Sequence, residues 1–190
     1  MKNKLFNFFK NTFVFIFSSK LLLSLSSFYL FLLFYFVVNR IFLFSLLPIW
    51  NYIIYFAIGF VFSILCLIGV KNKKGKDNQD SVNSIRPLEF TYIPVYLGLV
   101  IISLSLGNFT DNLLEIIFLS SIIYLIWLKL ENVSFFNFYW LFCNYRFYEI
   151  TTDMSSYLLI SKRKDVKDKK ALRDLNLKRI NNYTFIEVDN

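Results

Sequence analysis

Lysine and arginine are distributed unevenly around the long apolar runs of this chain. They fall in an N-terminal arm, in one central loop and in the C-terminal part, whereas the two other connections between apolar runs hold only Arg40. Cytoplasmic loops of membrane proteins retain such positive charges. The pattern therefore predicts a multi-pass membrane protein with both the N- and C-termini in the cytoplasm.

The composition supports this placement and disfavours most enzymes. The chain is 56% hydrophobic and 21% aromatic, with a mean hydropathy of +0.51, which is outside the usual range of soluble domains. The net charge of +8 follows from membrane orientation, so we expect no direct nucleic-acid binding. Histidine is absent, and Cys66 and Cys143 are too far apart for a Cys-x-x-Cys site, so both are interpreted as buried thiols. We expect no catalytic residues, no cofactor and no bound metal.

Four apolar segments approach the length of about 20 residues that a spanning helix needs. The predicted fold class is an all-α transmembrane protein, a four-helix membrane bundle with a small C-terminal cytoplasmic β-containing module. Gly59 and Ser63 have the small-xxx-small spacing that predicts a close helix contact. The four predicted spans are Leu21 to Val38, Trp50 to Val70, Thr91 to Leu106 and Asn112 to Leu128.

Three regions follow from these spans. Residues 1–20 form a basic arm, in which Leu5 to Phe17 is predicted to be an amphipathic helix on the membrane surface; a secretory signal peptide is the alternative. Residues 21–130 form the helical domain, with a flexible cytoplasmic loop at 71–89. Residues 131–190 form an interfacial segment and a small α+β module.

The last region begins with Asn132 to Cys143, which is too short for a fifth span and is predicted to be interfacial or re-entrant. Runs rich in aromatic and β-branched residues then predict a hairpin and a third strand. Lys164 to Leu177 is charged and is predicted to be a short helix or a loop. The three predicted strands are Arg146 to Thr151, Tyr157 to Ser161 and Tyr183 to Val188.

The four predicted spans are accompanied by three characteristic stretches: FTYIPVYLGLVIISLSL from Phe90, CNYRFYEITTDMSSYLLISKR from Cys143, and INNYTFIEV from Ile180. In these features the chain resembles the KwaA family, the membrane subunit of the Kiwa anti-phage defence system. The resemblance implies a homo-oligomeric sensor in the bacterial inner membrane, a tetramer, that responds to phage infection and works with a soluble, DNA-binding effector at the cytoplasmic face.

Together with the resemblance, the basic C-terminal part suggests where that effector docks. The run SKRKDVKDKK from Ser161 is otherwise a solvated charged loop, or a contact for an acidic partner or for membrane lipids. Two other functions remain open: a small pore-forming or holin-like oligomer, whose Ser and Gly faces line a conduit, and an immunity protein against a membrane-active toxin. The predicted docking residues are Arg146, Tyr148, Lys162, Arg163, Lys164 and Arg179.

Overall fold

A computed structural model describes residues 11–12, 15–17, 19–42, 44, 47–73, 82–109, 113–130, 135–152, 155–163 and 176–188. The helices are α1 (Lys20–Val38), α2 (Pro48–Lys71), α3 (Glu89–Phe109), α4 (Leu113–Leu130) and α5 (Phe138–Phe142), and residues 11–12 and 15–17 are also helical. The strands are β1 (Val82–Pro87), β2 (Arg146–Thr152), β3 (Ser156–Ser161), β4 (Leu177–Arg179) and β5 (Thr184–Glu187). Most of the predicted surface helix from Leu5 to Phe17 lies outside the described residues.

Helix α1 is at the centre of the bundle, where it contacts the other helices, and α2 packs on α1 and α5. Both helices begin at residues that favour a helix start. The Ser19 side chain accepts a hydrogen bond from the Leu22 backbone NH and caps α1, and Pro48 begins α2, where its missing NH costs nothing. Among the described residues, these two helices are long and apolar enough to cross a membrane, by length and composition. They agree with the first two predicted spans.

The prediction of an all-α four-helix bundle is wrong. Only two candidate spans are found among the described residues, and five strands form a mixed sheet. Helix α4 has Glu115 in its first turn and Lys129 in its last, and the uncharged residues 116–128 between them are about 20 Å long, against about 30 Å of hydrocarbon. Helix α3 contains Pro94, and its first turns pack against the sheet: the Leu88 NH donates to the Phe147 carbonyl at 2.9 Å.

The sheet has the strand order β1-β2-β3-β5-β4, in which β3 and β5 are parallel and the other neighbours are antiparallel. The predicted hairpin and third strand are confirmed as β2, β3 and β5. The predicted flexible loop is wrong for residues 82–87, because they pair with β2 as an edge strand. The short strand β4 was also missed, as it lies at the end of the segment predicted to be a helix or loop.

The segment from Phe135 to Phe142 joins the bundle to the sheet. Its helix α5 has five residues, so this stretch is not a fifth span, as predicted. Phe135, Phe136, Asn137, Tyr139 and Trp140 are all at most 2% exposed. The Phe136 ring lies 4.5 Å from the Tyr92 ring on α3 and 4.4 Å from the Phe147 ring on β2.

One buried amide, that of Asn137, connects three elements. Its Nδ2 donates to Ser26 Oγ on α1 at 3.0 Å, and its Oδ1 accepts from Ser63 Oγ on α2 at 3.0 Å. The same Oδ1 accepts from the Tyr139 NH at 3.0 Å and so caps α5. A buried polar group left without a partner costs about 1–3 kcal/mol, so removing this amide would penalise several groups together.

Close packing of α1, α2 and α5 occurs at Gly59. A Cβ built there would lie 2.6 Å from the Tyr139 hydroxyl oxygen and closer still to the Tyr29 ring. The Tyr29 ring has little freedom to move away, because its hydroxyl donates to the Tyr55 carbonyl at 3.1 Å. The predicted close contact at Gly59 and Ser63 is therefore confirmed, with Tyr29, Tyr139 and Asn137 as the neighbours.

Gly59→Ala is expected to lower the stability of the fold by about 1–3 kcal/mol, because the added methyl group overpacks this contact. Gly98→Ala is the matched control, since a Cβ at Gly98 meets nothing within 4 Å; it should be neutral or up to about 1 kcal/mol stabilising through helix propensity. Thermal unfolding of the purified variants measures both. Equal effects at the two positions would contradict the packing described here.

Candidate functional site

The two faces of the sheet have different surroundings. Side chains alternate along a strand, so Phe147 on β2 points to the bundle while Tyr148 and Ile150 point away from it. The outer face has its own buried cluster of Tyr148, Ile150, Leu159 and Leu177. Partly buried Val82, Ile85, Tyr157 and Phe185 pack around it. This outer face, with its edges, is the candidate site.

Three arginines lie at the rim of the outer face, and all three were predicted docking residues. Arg146 is exposed at the start of β2 and is paired with Ser161 in the antiparallel register. Arg163 lies two residues after Ser161, just past the end of β3, and its guanidinium binds Glu187 of β5. Arg179 on β4 lies over the Phe185 ring, with its guanidinium carbon 5.9 Å from the ring centroid.

The rim has one ion pair whose geometry is fixed by its surroundings. Arg163 Nη2 and Nε each lie 2.8 Å from Glu187 Oε1, and Ser161 Oγ donates to the other oxygen of this carboxylate. The Arg163 side chain is 44% exposed, so the pair contributes only about 0–1 kcal/mol to stability. Its main effect is to hold the guanidinium in one orientation.

The remaining predicted residues have other positions. Tyr148 is buried, and its hydroxyl donates to the Arg163 carbonyl at 2.6 Å, so it positions the chain at the rim. Lys162 points toward the bundle, with its Nζ 5.5 Å from the Tyr145 ring centroid. Lys164 lies outside the described residues. The structure therefore brings Arg146, Arg163 and Arg179 to one face with Tyr148 beneath them, and separates Lys162 from them.

Lys162 belongs to a second basic region, which we call the seam: Lys71, Lys73, Lys162 and Lys178, where the C-terminal end of α2 meets the sheet. Lys71 Nζ lies 5.3 Å from the centroid of the same Tyr145 ring that Lys162 contacts. Lys178 Nζ donates to the Lys71 carbonyl, and Lys73 Nζ donates to the Arg179 carbonyl at 3.5 Å. Burial lowers the pKa of the Lys178 ammonium.

Sequence reasoning missed this seam and the Asn137 amide. In the sequence, Asn137 is the one amide inside the aromatic run FFNFYW. A polar side chain in such apolar surroundings needs hydrogen-bond partners, and this could have identified it. The signal for the seam was weak, since Lys71 and Lys178 are more than one hundred residues apart. Among the described residues, no three His, Cys, Asp or Glu side chains come together as a metal site.

The fold and site define a class of protein: an apolar helical bundle that carries, at one end, a mixed sheet with a basic rim. A family model described as "Anti-phage protein KwaA" matches residues 19–186. Because the match covers most of the sequence, the chain belongs to the KwaA family, and its role lies in anti-phage defence. The resemblance inferred from the sequence is confirmed. No curated protein and no solved structure matches the chain.

Cys143 provides a chemical probe of the seam. Burial raises the pKa of its thiol, and the nearby ammonium groups of Lys162 and Lys71 partly oppose this rise. The thiolate is the reactive form, so Lys162→Gln should raise the pKa further and slow maleimide labelling of Cys143 at pH 8 by roughly twofold.

Lys129→Gln is the control for this experiment, because it removes one charge from the last turn of α4 and should leave the rate unchanged, since the ammonium groups that lower the pKa of the Cys143 thiol are those of Lys162 and Lys71. Cys66 is 0% exposed and should stay unlabelled in the folded protein. An unchanged or faster Cys143 rate in Lys162→Gln would contradict the seam geometry.

Proposed function

We propose that this chain is the inner-membrane sensor and scaffold of an anti-phage defence system, and that the basic rim of its sheet docks a cytoplasmic effector. The observation that carries the proposal is the position of Arg146, Arg163 and Arg179 together on the sheet face that points away from the bundle. Membership of the KwaA family supports the defence role. The DNA-binding nature of the effector is implied by the family resemblance.

The membrane placement rests on α1 and α2 as the crossing pair. The described charges at the sheet end of the bundle include Lys20, Lys71 and Lys129, whereas Arg40 lies at the opposite end, in the connection between α1 and α2. Positive charges remain on the cytoplasmic side, so the sheet end, with both termini, is cytoplasmic in this proposal. Large apolar side chains are exposed on α2, among them Ile53, Ile58 and Val61, as expected for a lipid-facing surface.

A fusion at Asn190 tests this orientation. Green fluorescent protein behind Asn190 should fluoresce and alkaline phosphatase at the same place should be inactive, whereas alkaline phosphatase inserted after Arg40 should be active. Active phosphatase behind Asn190 would overturn the placement of the sheet in the cytoplasm. Resistance of the full chain to carbonate extraction is the accompanying check that it is embedded in the membrane at all.

The sensing step is proposed to travel through the segment that joins bundle and sheet. The Asn137 amide is hydrogen-bonded to both crossing helices, and two residues earlier the Phe135 NH donates to Thr184 Oγ1 on β5 at 3.3 Å. Phe136 stacks on Phe147 of β2. A change in the packing of α1 against α2 during infection would therefore shift the strands that carry the rim arginines.

The effector contact is proposed to be electrostatic, with an acidic surface of the partner on Arg146 and Arg179, while Arg163 stays paired with Glu187 and orders the rim. Arginine is favoured at such contacts because its planar group binds carboxylates through two NH groups. Deleting residues 146–190 is an unsuitable test, because it removes four of the five strands and uncovers Phe136. Point substitutions at the rim leave that packing in place.

Arg146→Gln and Arg179→Gln are each expected to weaken effector binding by about three- to tenfold, and the double variant more, because interface arginines contribute above the average contact. Co-purification and titration of the solubilised full chain with the effector measure this. Arg40→Gln is the control, since it removes one guanidinium from the far end of the bundle. Undiminished binding by the double variant, with a wild-type melting temperature, would overturn the docking site.

The homo-oligomer, a tetramer by family resemblance, remains a proposal, and so do the absence of enzymatic activity and the absence of direct nucleic-acid binding. The pore-forming alternative loses part of its support, because three of the small residues proposed to line a conduit are used inside the chain, whereas Ser121 is exposed and a Cβ at Gly98 would meet nothing within 4 Å. Ser63 bonds to Asn137, Ser27 Oγ accepts from Trp127 Nε1 at 2.9 Å, and Gly59 is packed against Tyr29.

A further inference from the structure

The lysines of the seam lie at the C-terminal end of α2, where the exposed apolar surface of this helix ends. Four lysines from three parts of the chain meet there: Lys71 and Lys73 at the end of α2, Lys162 after β3, and Lys178 on β4. Two of the ammonium groups contact one ring, that of Tyr145, and the other two donate to the Lys71 and Arg179 carbonyls, so four positive charges lie in one region of the surface. A site of this kind is favourable for an anion.

The neighbouring surface of α2 indicates what kind of anion. Val61 and Ile68 are 55% and 40% exposed and are seven residues apart, so they lie along one line of the helix. Lys71 and Asn72 are three and four residues beyond Ile68, which places them at the end of the same line. An acyl chain lying on Val61 and Ile68 would carry its headgroup to the seam.

We infer that the seam is a binding site for an anionic phospholipid, with the phosphate among Lys71, Lys73, Lys162 and Lys178 and an acyl chain along Val61 and Ile68. A soluble phosphate could bind the four lysines, but it would make no contact with Val61 and Ile68. The inference rests on the proposed membrane placement. It is separate from effector docking, because the rim arginines point to the opposite face of the sheet.

The test compares phosphatidylglycerol with phosphatidylcholine of the same chain length, each added to the purified full chain in mild detergent. Bound lipid is counted by native mass spectrometry and the melting temperature is followed by tryptophan fluorescence. The wild-type chain should retain phosphatidylglycerol selectively and melt at a higher temperature with it. The double variant Lys71→Gln/Lys162→Gln should bind it about 25-fold more weakly, about fivefold for each lysine, and should melt like wild type in phosphatidylcholine.

Lys20→Gln/Lys129→Gln is the matched control, because it also removes two ammonium groups from the sheet end of the bundle but leaves the seam intact. An equal loss in this control would show general surface attraction and overturn the site. Equal stabilisation by the two lipids, or an equal effect of water-soluble glycerol phosphate, would overturn it as well. Loss of the chain from carbonate-washed membranes would instead defeat the proposed membrane placement, so the two failures are distinguishable.

Discussion

The hydrogen bonds of one buried amide hold this structure together. Asn137 is surrounded by aromatic side chains and is completely buried, so its polar atoms must be satisfied by the protein. Ser26 and Ser63 satisfy them from α1 and α2, and Trp140 Nε1 donates to the Ser63 carbonyl at 3.2 Å to fix the same junction. In apolar surroundings such bonds are stronger than in water, and their absence is more costly. Helices α1, α2 and α5 and the base of the sheet are therefore specified together.

The aromatic side chains around this amide connect the remaining elements. Tyr96 on α3 donates from its hydroxyl to the Phe136 carbonyl at 3.0 Å, and its ring lies 5.5 Å from the Trp127 ring on α4. Tyr and Trp are suited to this role because each combines a large apolar body with one hydrogen-bonding atom. The many aromatic residues at the junction of the bundle and the sheet therefore have a structural role. It also explains why Gly59 has to be small, since large rings occupy the space beside it.

Patterns among neighbouring residues predicted the helices and strands whose formation depends on those neighbouring residues alone. The hairpin of β2 and β3 followed from alternating aromatic and β-branched residues with a polar turn, and the long apolar helices α1 and α2 followed from the length of their apolar runs. Strand β1 could not be found in this way, because VNSIRP acquires its conformation by pairing with residues 148–152, which are 61 to 70 positions later. The same holds for β4 and for the seam. Charge alone placed Arg146, Arg163, Arg179 and Lys162 in one predicted set, whereas the opposite direction of Lys162 depends on strand register, which charge does not reveal.

The position of β1 in the chain has a consequence for biosynthesis. It leaves the ribosome before α3 and α4, yet its partner β2 follows both, and the parallel neighbour pair is complete only with β5 at Glu187. At about 5–20 residues per second, the roughly one hundred intervening residues take about 5–20 s to translate. Helices α3 and α4 are therefore synthesised before the sheet can close, and β1 waits for its partner strand until β2 has been translated. A product that stops before β2 would leave β1 as an open sheet edge that proteases can cleave.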